Sequence, residues 1–202
     1  MNQARFVYRY DENPSRGWAL TGALFGLKFF VAIPHLLIVN LLQNLAMLAA
    51  YIGYFVVAFT GQMPQGIQAF AHLSLRWSAR TYGWIIGYTD IYPPFETEPP
   101  GYPVEAEIPR NDAPNKGWAV AGIFFIKILA LIPHIVIGGA LVFLSFFAAW
   151  IGYLGVLFTG AYPRGIGDFV AGAVQWWLRV ASWLYGLTDE FPPFALDARP
   201  SA

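Results

Sequence analysis

Residues 18–60 read WALTGALFGLKFFVAIPHLLIVNLLQNLAMLAAYIGYFVVAFT, and Lys28 and His35 are the only acidic, basic or imidazole side chains in them. So long a run with so little charge belongs in lipid, where one helical span takes about 20 apolar residues. At 43 residues the run is too long for one span and suits two joined by a tight turn. Its one polar cluster is Asn40 to Asn44, so the turn is expected there. The stretch therefore reads as a transmembrane helical hairpin with arms at about 17–39 and 45–60.

The same stretch occurs twice. Gly17-Trp18-Ala19 returns as Gly117-Trp118-Ala119, Ile33-Pro34-His35 as Ile132-Pro133-His134, and Ile52-Gly53-Tyr54 as Ile151-Gly152-Tyr153. Phe59-Thr60-Gly61 returns as Phe158-Thr159-Gly160, and Pro93-Pro94-Phe95 as Pro192-Pro193-Phe194. From Lys28 onward the offset is a constant 99 residues. One unit was duplicated, giving repeats at 1–98 and 99–202. The second hairpin is expected at about 117–137 and 142–159, turning near Gly138-Gly139.

After each hairpin, Thr60-Gly61-Gln62-Met63-Pro64 and Thr159-Gly160-Ala161-Tyr162-Pro163 turn the chain into a third helix, at about 66–88 and 165–187. These helices carry Arg76, Arg80 and Arg179 among Trp77, Trp84, Trp176, Trp177 and Trp183. Arginine with tryptophan at helical spacing suits an amphipathic helix at headgroup level. The competing reading is a third span with inward-facing arginines, which are costly near mid-bilayer. Phe6-Val7-Tyr8-Arg9-Tyr10 alternates like an extended segment, and Tyr102 to Ile108 repeats it inside the acidic, proline-rich linker 96–115. Ser15 or Asn13 is placed to cap the first helix. The tail after Leu196 is expected to be disordered.

Composition closes several functional classes. Hydrophobic residues make up 57% of the 202-residue chain and charged residues 12%, far below the roughly 25% charged share of soluble domains. The formal net charge is zero and there is no basic run, so nucleic-acid binding has no electrostatic basis. The chain has no cysteine, which removes thiolate chemistry, iron–sulfur clusters and cysteine zinc sites. The polar, aromatic start reads as no signal peptide.

Lys28 and His35 stand seven residues apart, with Thr21 seven before, on one helical stripe; Lys127 and His134 repeat the pair. Ionisable residues inside a span are functional candidates for a proton or ion relay, or for binding an acidic lipid or partner. The structural reading has the lysine snorkelling and the imidazole sitting where the adjacent proline frees backbone. Two equivalent histidines also suit axial ligation of a haem or pigment macrocycle. Arg80 precedes Asp90, and Arg179 precedes Asp189, by ten residues, so these are expected to form structural ion pairs at helix ends. His72 faces Ala171 in the repeat and reads as a surface residue. Gly22-x-x-x-Gly26 is a close-packing pattern that the second copy lacks, having Ile126 at the later position.

Taken together, Ile-Pro-His, Phe-Thr-Gly-x-x-Pro-x-Gly, Trp…Arg and Thr-Asp-x-(Tyr/Phe)-Pro-Pro-Phe carry a resemblance. The chain resembles the bacterial membrane family called domain of unknown function 4389, in two tandem copies. The second copy follows the pattern more closely. The first departs at Gln62-Met63-Pro64-Gln65 and Asp90-Ile91, losing a basic and an acidic residue. The resemblance implies a small helical bacterial membrane protein and brings no activity with it.

The expectation is thus an all-α, multi-pass protein of the bacterial inner membrane. Each repeat is a transmembrane hairpin plus an amphipathic interfacial helix. Both repeats insert the same way, with termini and linker cytoplasmic by the positive-inside bias of Arg5, Arg9, Arg16, Lys116 and Arg164. A spanning third helix would instead invert one repeat against the other. No residue set amounts to an enzyme signature or a metal cluster, and no cofactor is required. The function expected is a non-catalytic accessory or scaffold subunit of a larger membrane assembly. Its partners would be membrane lipids, other membrane subunits or a second copy. The alternatives are a small transporter, channel or lipid-handling protein using the Lys/His stripe, and a haem- or pigment-binding membrane subunit.

Overall fold

The computed structural model describes residues 3–24 and 27–200. Gly26, the second glycine of the Gly22 pattern, lies outside them. The order of elements is β1 (Arg5–Tyr8), α1 (Arg16–Ala23), α2 (Leu27–Thr60), α3 (Gln65–Ile86), β2 (Val104–Glu107), α4 (Lys116–Ile123), α5 (Ile126–Ala130), α6 (Ile132–Thr159) and α7 (Arg164–Leu184). The protein is mostly helical, and the all-α expectation needs one amendment: β1 and β2 pair antiparallel, Arg5 opposite Glu107 and Tyr8 opposite Val104. The extended head and its repeat in the linker are thus each other's partners.

The expected hairpins are absent. α2 runs unbroken through Asn40 and Asn44, and α6 runs unbroken through Gly138-Gly139. Asn44 satisfies its amide inside the helix, donating to the Asn40 carbonyl at 2.7 Å. Gly138 is helical because the Trp177 ring occupies the space a Cβ would take. Both polar interruptions serve a continuous helix. Pro34 sits inside α2, whereas Pro133 falls at the start of α6, after the one-turn α5.

Each long helix buries one narrow stripe. In α2 it comprises Lys28, Ala32, His35, Val39, Ala46, Ala50, Gly53, Tyr54 and Val57. Lys28, Ala32, His35 and Val39 keep the three- and four-residue steps of a helical face, and Ala46, Ala50, Gly53 and Val57 resume them. The remaining faces expose Phe30, Leu37, Leu41, Leu48, Ile52 and Phe59. α2 and α6 are each long and apolar enough to cross a membrane. A soluble protein's core helix reaches such hydropathy by being hidden, but only 22% and 17% of these two spans is buried.

Thr60-Gly61 and Thr159-Gly160 turn the chain back. The threonine hydroxyls donate to Val56 and Gly155 carbonyls at 2.7 Å, and the glycines adopt φ of 78° and 77°, where other residues are strained. Pro64 and Pro163 then stand at the N-caps of α3 and α7, which pack back along α2 and α6. These third helices are far more buried than an interfacial helix with one lipid face. They form a middle layer, with the long helices packed on them and the strands packed on them as well.

The two copies interlock instead of standing side by side. α1 of the first copy packs on α6, and α4 of the second packs on α2. Trp18 N–H donates to the Ser15 cap, and Asn115 caps α4 in the same way. Tyr153, near the end of α6, rests on Gly22, while Tyr54, near the end of α2, rests on Gly122. Each long helix therefore meets the start of one copy at the end of the other, so α2 and α6 run antiparallel. The two copies are thus related by a pseudo-twofold. The boundary at 98/99 marks the duplication and does not separate two bodies.

One further expectation changes. The tail is anchored, with Arg179 pairing with Asp197 at 2.6 Å and Ala198 buried. The head is tied to α7, where Tyr8 and Tyr10 hydroxyls each donate to Asp168 Oδ1 at 2.8 Å. Burial foremost, then Asp168, pushes both phenols above their ordinary value.

Substitutions at the interlock should be costly. Gly22→Val drives a side chain into the Tyr153 ring and is expected to cost about 1–3 kcal/mol, read as a lowered thermal midpoint in detergent. Gly139→Ala, with open space around it, should leave the midpoint unchanged or raised.

The tail contact is pH-dependent. The Arg179 guanidinium, hydrogen-bonded to Asp197, holds that carboxyl below its ordinary value. A depressed carboxyl contributes stability above its unfolded pKa and loses it as pH falls through the folded one. Proteolysis of residues 195–200 should therefore accelerate only on acidification below the ordinary carboxylate range, and Asp197→Asn should show that fast cleavage at neutral pH.

Candidate functional site

The repeated motifs converge on two equivalent aromatic boxes, one at each end of the interlock. In the first, the Lys28 ammonium lies 4.7 Å from the Trp84 ring centroid and 5.0 Å from that of Tyr153. In the second, Lys127 lies 4.4 Å from Trp183 and 4.9 Å from Tyr54. Each lysine thus sits between a tryptophan of its own copy and a tyrosine of the other, over ring faces that attract cations. Trp18 and Trp118 close the boxes, edge-on to Trp84 and Trp183 at 5.3 and 5.1 Å. The Tyr153 and Tyr54 hydroxyls donate to the Ile85 and Leu184 carbonyls, near the ends of α3 and α7.

One turn-pair along each long helix, the histidine meets the Pro-Pro-Phe segment. His35 stacks on Phe95 at 4.1 Å and His134 on Phe194 at 4.0 Å, both at 20° between planes. His35 Nδ1 accepts from Trp77 Nε1 at 3.1 Å. In the second copy the equivalent Trp176 Nε1 reaches the His134 backbone carbonyl instead, at 3.4 Å. Ile-Pro-His and Pro-Pro-Phe, far apart in sequence, are two halves of one contact.

All four residues of the Lys/His stripe are buried, with Lys28 at 2% exposure, Lys127 at 1% and both histidines at 0%. The lysines differ in how they are satisfied. Lys127 donates to the Tyr54 hydroxyl at 3.3 Å and to the Trp183 carbonyl. Lys28 has no hydrogen-bond partner among the described residues. Thr21 turns inward on its own helix, donating to the Trp18 carbonyl at 2.8 Å.

The expected ion pairs do not form. Arg80 donates to the Thr97 carbonyl at 3.1 Å, and Arg179 takes Asp197. Asp90 and Asp189 instead accept the backbone N–H of Ser15 and of Asn115 at 2.9 Å, the residues that cap α1 and α4. The reason is the turn after each third helix. Gly87 and Gly186 take positive φ, at 102° and 75°, and swing the aspartates onto helix N-termini, where the macrodipole favours negative charge. Burial raises the Asp90 carboxyl, and the Ser15 N–H opposes that rise. His72 is half-buried and sits 3.1 Å from the Pro109 carbonyl.

Both boxes enclose their lysines. The cavity shared by Lys127, Asp189, Asn115 and Tyr54 measures about 10 Å³, the size of one water and far below the roughly 300–1,000 Å³ of ligand pockets. A larger cavity of about 160 Å³, lined by Tyr10, Glu12, Tyr162 and Arg164, lies at neither box. A macrocycle on either imidazole would have to displace the stacked phenyl ring, so the geometry gives axial ligation no support. Among the described residues no group of three or more His, Asp or Glu is placed to hold a metal. Sequence reasoning missed Tyr54 and Tyr153 as partners of the lysines. Their recurrence in Ile-Gly-Tyr was the signal, but only the swap of α1 and α4 shows that each serves the other copy.

The unequal lysines give an asymmetric expectation. Lys127→Met removes the ammonium's hydrogen bonds to the Tyr54 hydroxyl and the Trp183 carbonyl and should cost about 1–3 kcal/mol. Lys28→Met removes a buried ammonium without a hydrogen-bond partner and should be neutral within about 1 kcal/mol, or stabilising. Detergent-phase unfolding of both variants checks this; equal losses, or a larger loss at Lys28, would contradict it.

No curated protein sequence and no solved structure matches the chain. A family model does, over residues 23–96 and again over 123–195, and these two matches take in Lys28, His35 and Pro-Pro-Phe together with their counterparts. With the two matches together covering most of its length, the chain belongs to the family described as Domain of unknown function (DUF4389).

Proposed function

We propose that the chain is a non-catalytic membrane protein, an accessory or scaffold subunit of a larger assembly in a bacterial inner membrane. The observation that carries this reading is the division of its surface. The exposed large hydrophobic side chains gather on α1, α2, α4, α5 and α6, while Lys28, His35, Lys127 and His134 are spent inside on aromatic contacts. The apolar surface supports lipids, other membrane subunits or a second copy as partners. The sealed boxes support a structural role for the stripe against a relay or a substrate site. The multi-pass arrangement expected from the sequence rested on two hairpins. Single long helices leave two poses, across the bilayer and within one leaflet.

The test is flux. Reconstituted into proteoliposomes, the wild-type chain is expected to carry no proton or ion current above protein-free vesicles. Lys28→Met should retain both its fold and the cross-linked neighbours that the wild type shows in intact membranes. A wild-type flux that Lys28→Met or Lys127→Met abolishes, with the fold retained, would replace this reading with the transporter.

A further inference from the structure

Exposed apolar side chains line the long helices, whereas the exposed ion pairs lie on the strands and the linker, and that division bears on the pose. α2 has 34 residues and is therefore about 51 Å long at 1.5 Å per residue, against about 30 Å of hydrocarbon. Its exposed apolar side chains run from Leu27 to Phe59, the whole length. To keep both ends within the hydrocarbon the helix would have to tilt by more than about 50°, outside the roughly 0–40° seen for spanning helices.

The charges decide the matter independently. Gln43, at the middle of α2, donates to Ser78 of α3 at 3.0 Å. Two residues from Ser78, Arg76 pairs with Glu98 at 3.0 Å and Glu105 at 3.3 Å, and the side chain of Glu98 is 75% exposed. On the strands, the Arg5–Glu107 pair is 68% and 61% exposed. A helix standing along the membrane normal would carry Arg76 and Glu98 to the middle of the bilayer, where each charge costs several kcal/mol. No exposed charged side chain lies on α2, α5 or α6 among the described residues. Exposed cations stand at the two ends instead. The Lys116 ammonium reaches the Phe59 carbonyl at 3.3 Å, and the Arg16 guanidinium lies beside Gly160. A layer one helix thick, about 10 Å, fits the roughly 15 Å of one leaflet's hydrocarbon.

Resting on the reading of a membrane protein, we infer that the chain is monotopic. α2 and α6 lie in the plane of one leaflet with their outward faces among acyl chains, Arg16 and Lys116 reach headgroup phosphates, and the strands face water. The pseudo-twofold then stands along the membrane normal, and both termini and the linker share one aqueous side although the copies run antiparallel.

The cysteine-free chain allows a direct test. Single cysteines replacing Phe30, Leu37, Leu48, Phe59 and Glu98 are spin-labelled in the full chain. The protein is then reconstituted into vesicles of phosphatidylcholine with phosphatidylglycerol, and depth is read from oxygen and nickel-chelate accessibility. The four α2 labels are expected at one common depth within a single leaflet, with the Glu98 label in water. Labels that deepen to the midplane at Leu37 and Leu48 and return to opposite surfaces at Phe30 and Phe59 would overturn the in-plane pose and leave the membrane reading intact. Failure of the protein to float with the vesicles would overturn both.

Discussion

Each long helix has one stripe it can bury and far more apolar surface than the rest of the chain can cover. In α2 that stripe holds nine residues of 34. Burying it requires a helix laid along its length, and α3 provides one, turned back by Thr60-Gly61 and started at Pro64. The ends of the stripe need covers that the same copy cannot reach. The other copy supplies them, α4 over Tyr54 and α1 over Tyr153. Interlocking the duplicates is therefore the cheapest closure of two identical half-covered helices. What stays uncovered is apolar along the whole length of each long helix.

The lysines take their meaning from that closure. Each lies between a tryptophan of its own third helix and a tyrosine of the other copy's long helix, with the short helix's tryptophan set edge-on to the first ring. Tryptophan and tyrosine faces stabilise the cation while excluding water, and the aspartate nearby is spent on a helix N-terminus. The histidines, two stripe-steps further in, mark where the Pro-Pro-Phe segments close over the helix surface.

Much of this was legible from residues alone. The offset of 99 residues announced two equivalent sites, the alternation at Phe6 to Tyr10 and its echo at Tyr102 to Ile108 announced the strands, and Pro64 and Pro163 announced the third helices. What failed, failed for physical reasons. Asn40 and Asn44 mimic a turn but bond to each other within a helix. Gly138 mimics a turn but makes room for Trp177. The length rule for spans turned a continuous run into a hairpin because it assumes that helices stand upright. Arg80 and Asp90 are ten residues apart, but the Gly87 turn between them carries the aspartate to Ser15. The clasp of Tyr54 and Tyr153 depends on which copy covers which, and a duplicated sequence is silent on that.

In the proposed pose the long axes of this protein lie in the membrane plane. Since α3 and α7 pack back along α2 and α6, most of its helical residues share that orientation. Polarised infrared dichroism of the amide I band, on the full chain in aligned bilayers, measures it directly. The in-plane pose predicts a mean helix axis close to perpendicular to the membrane normal. A mean axis within the roughly 0–40° tilt range of spanning helices would contradict it.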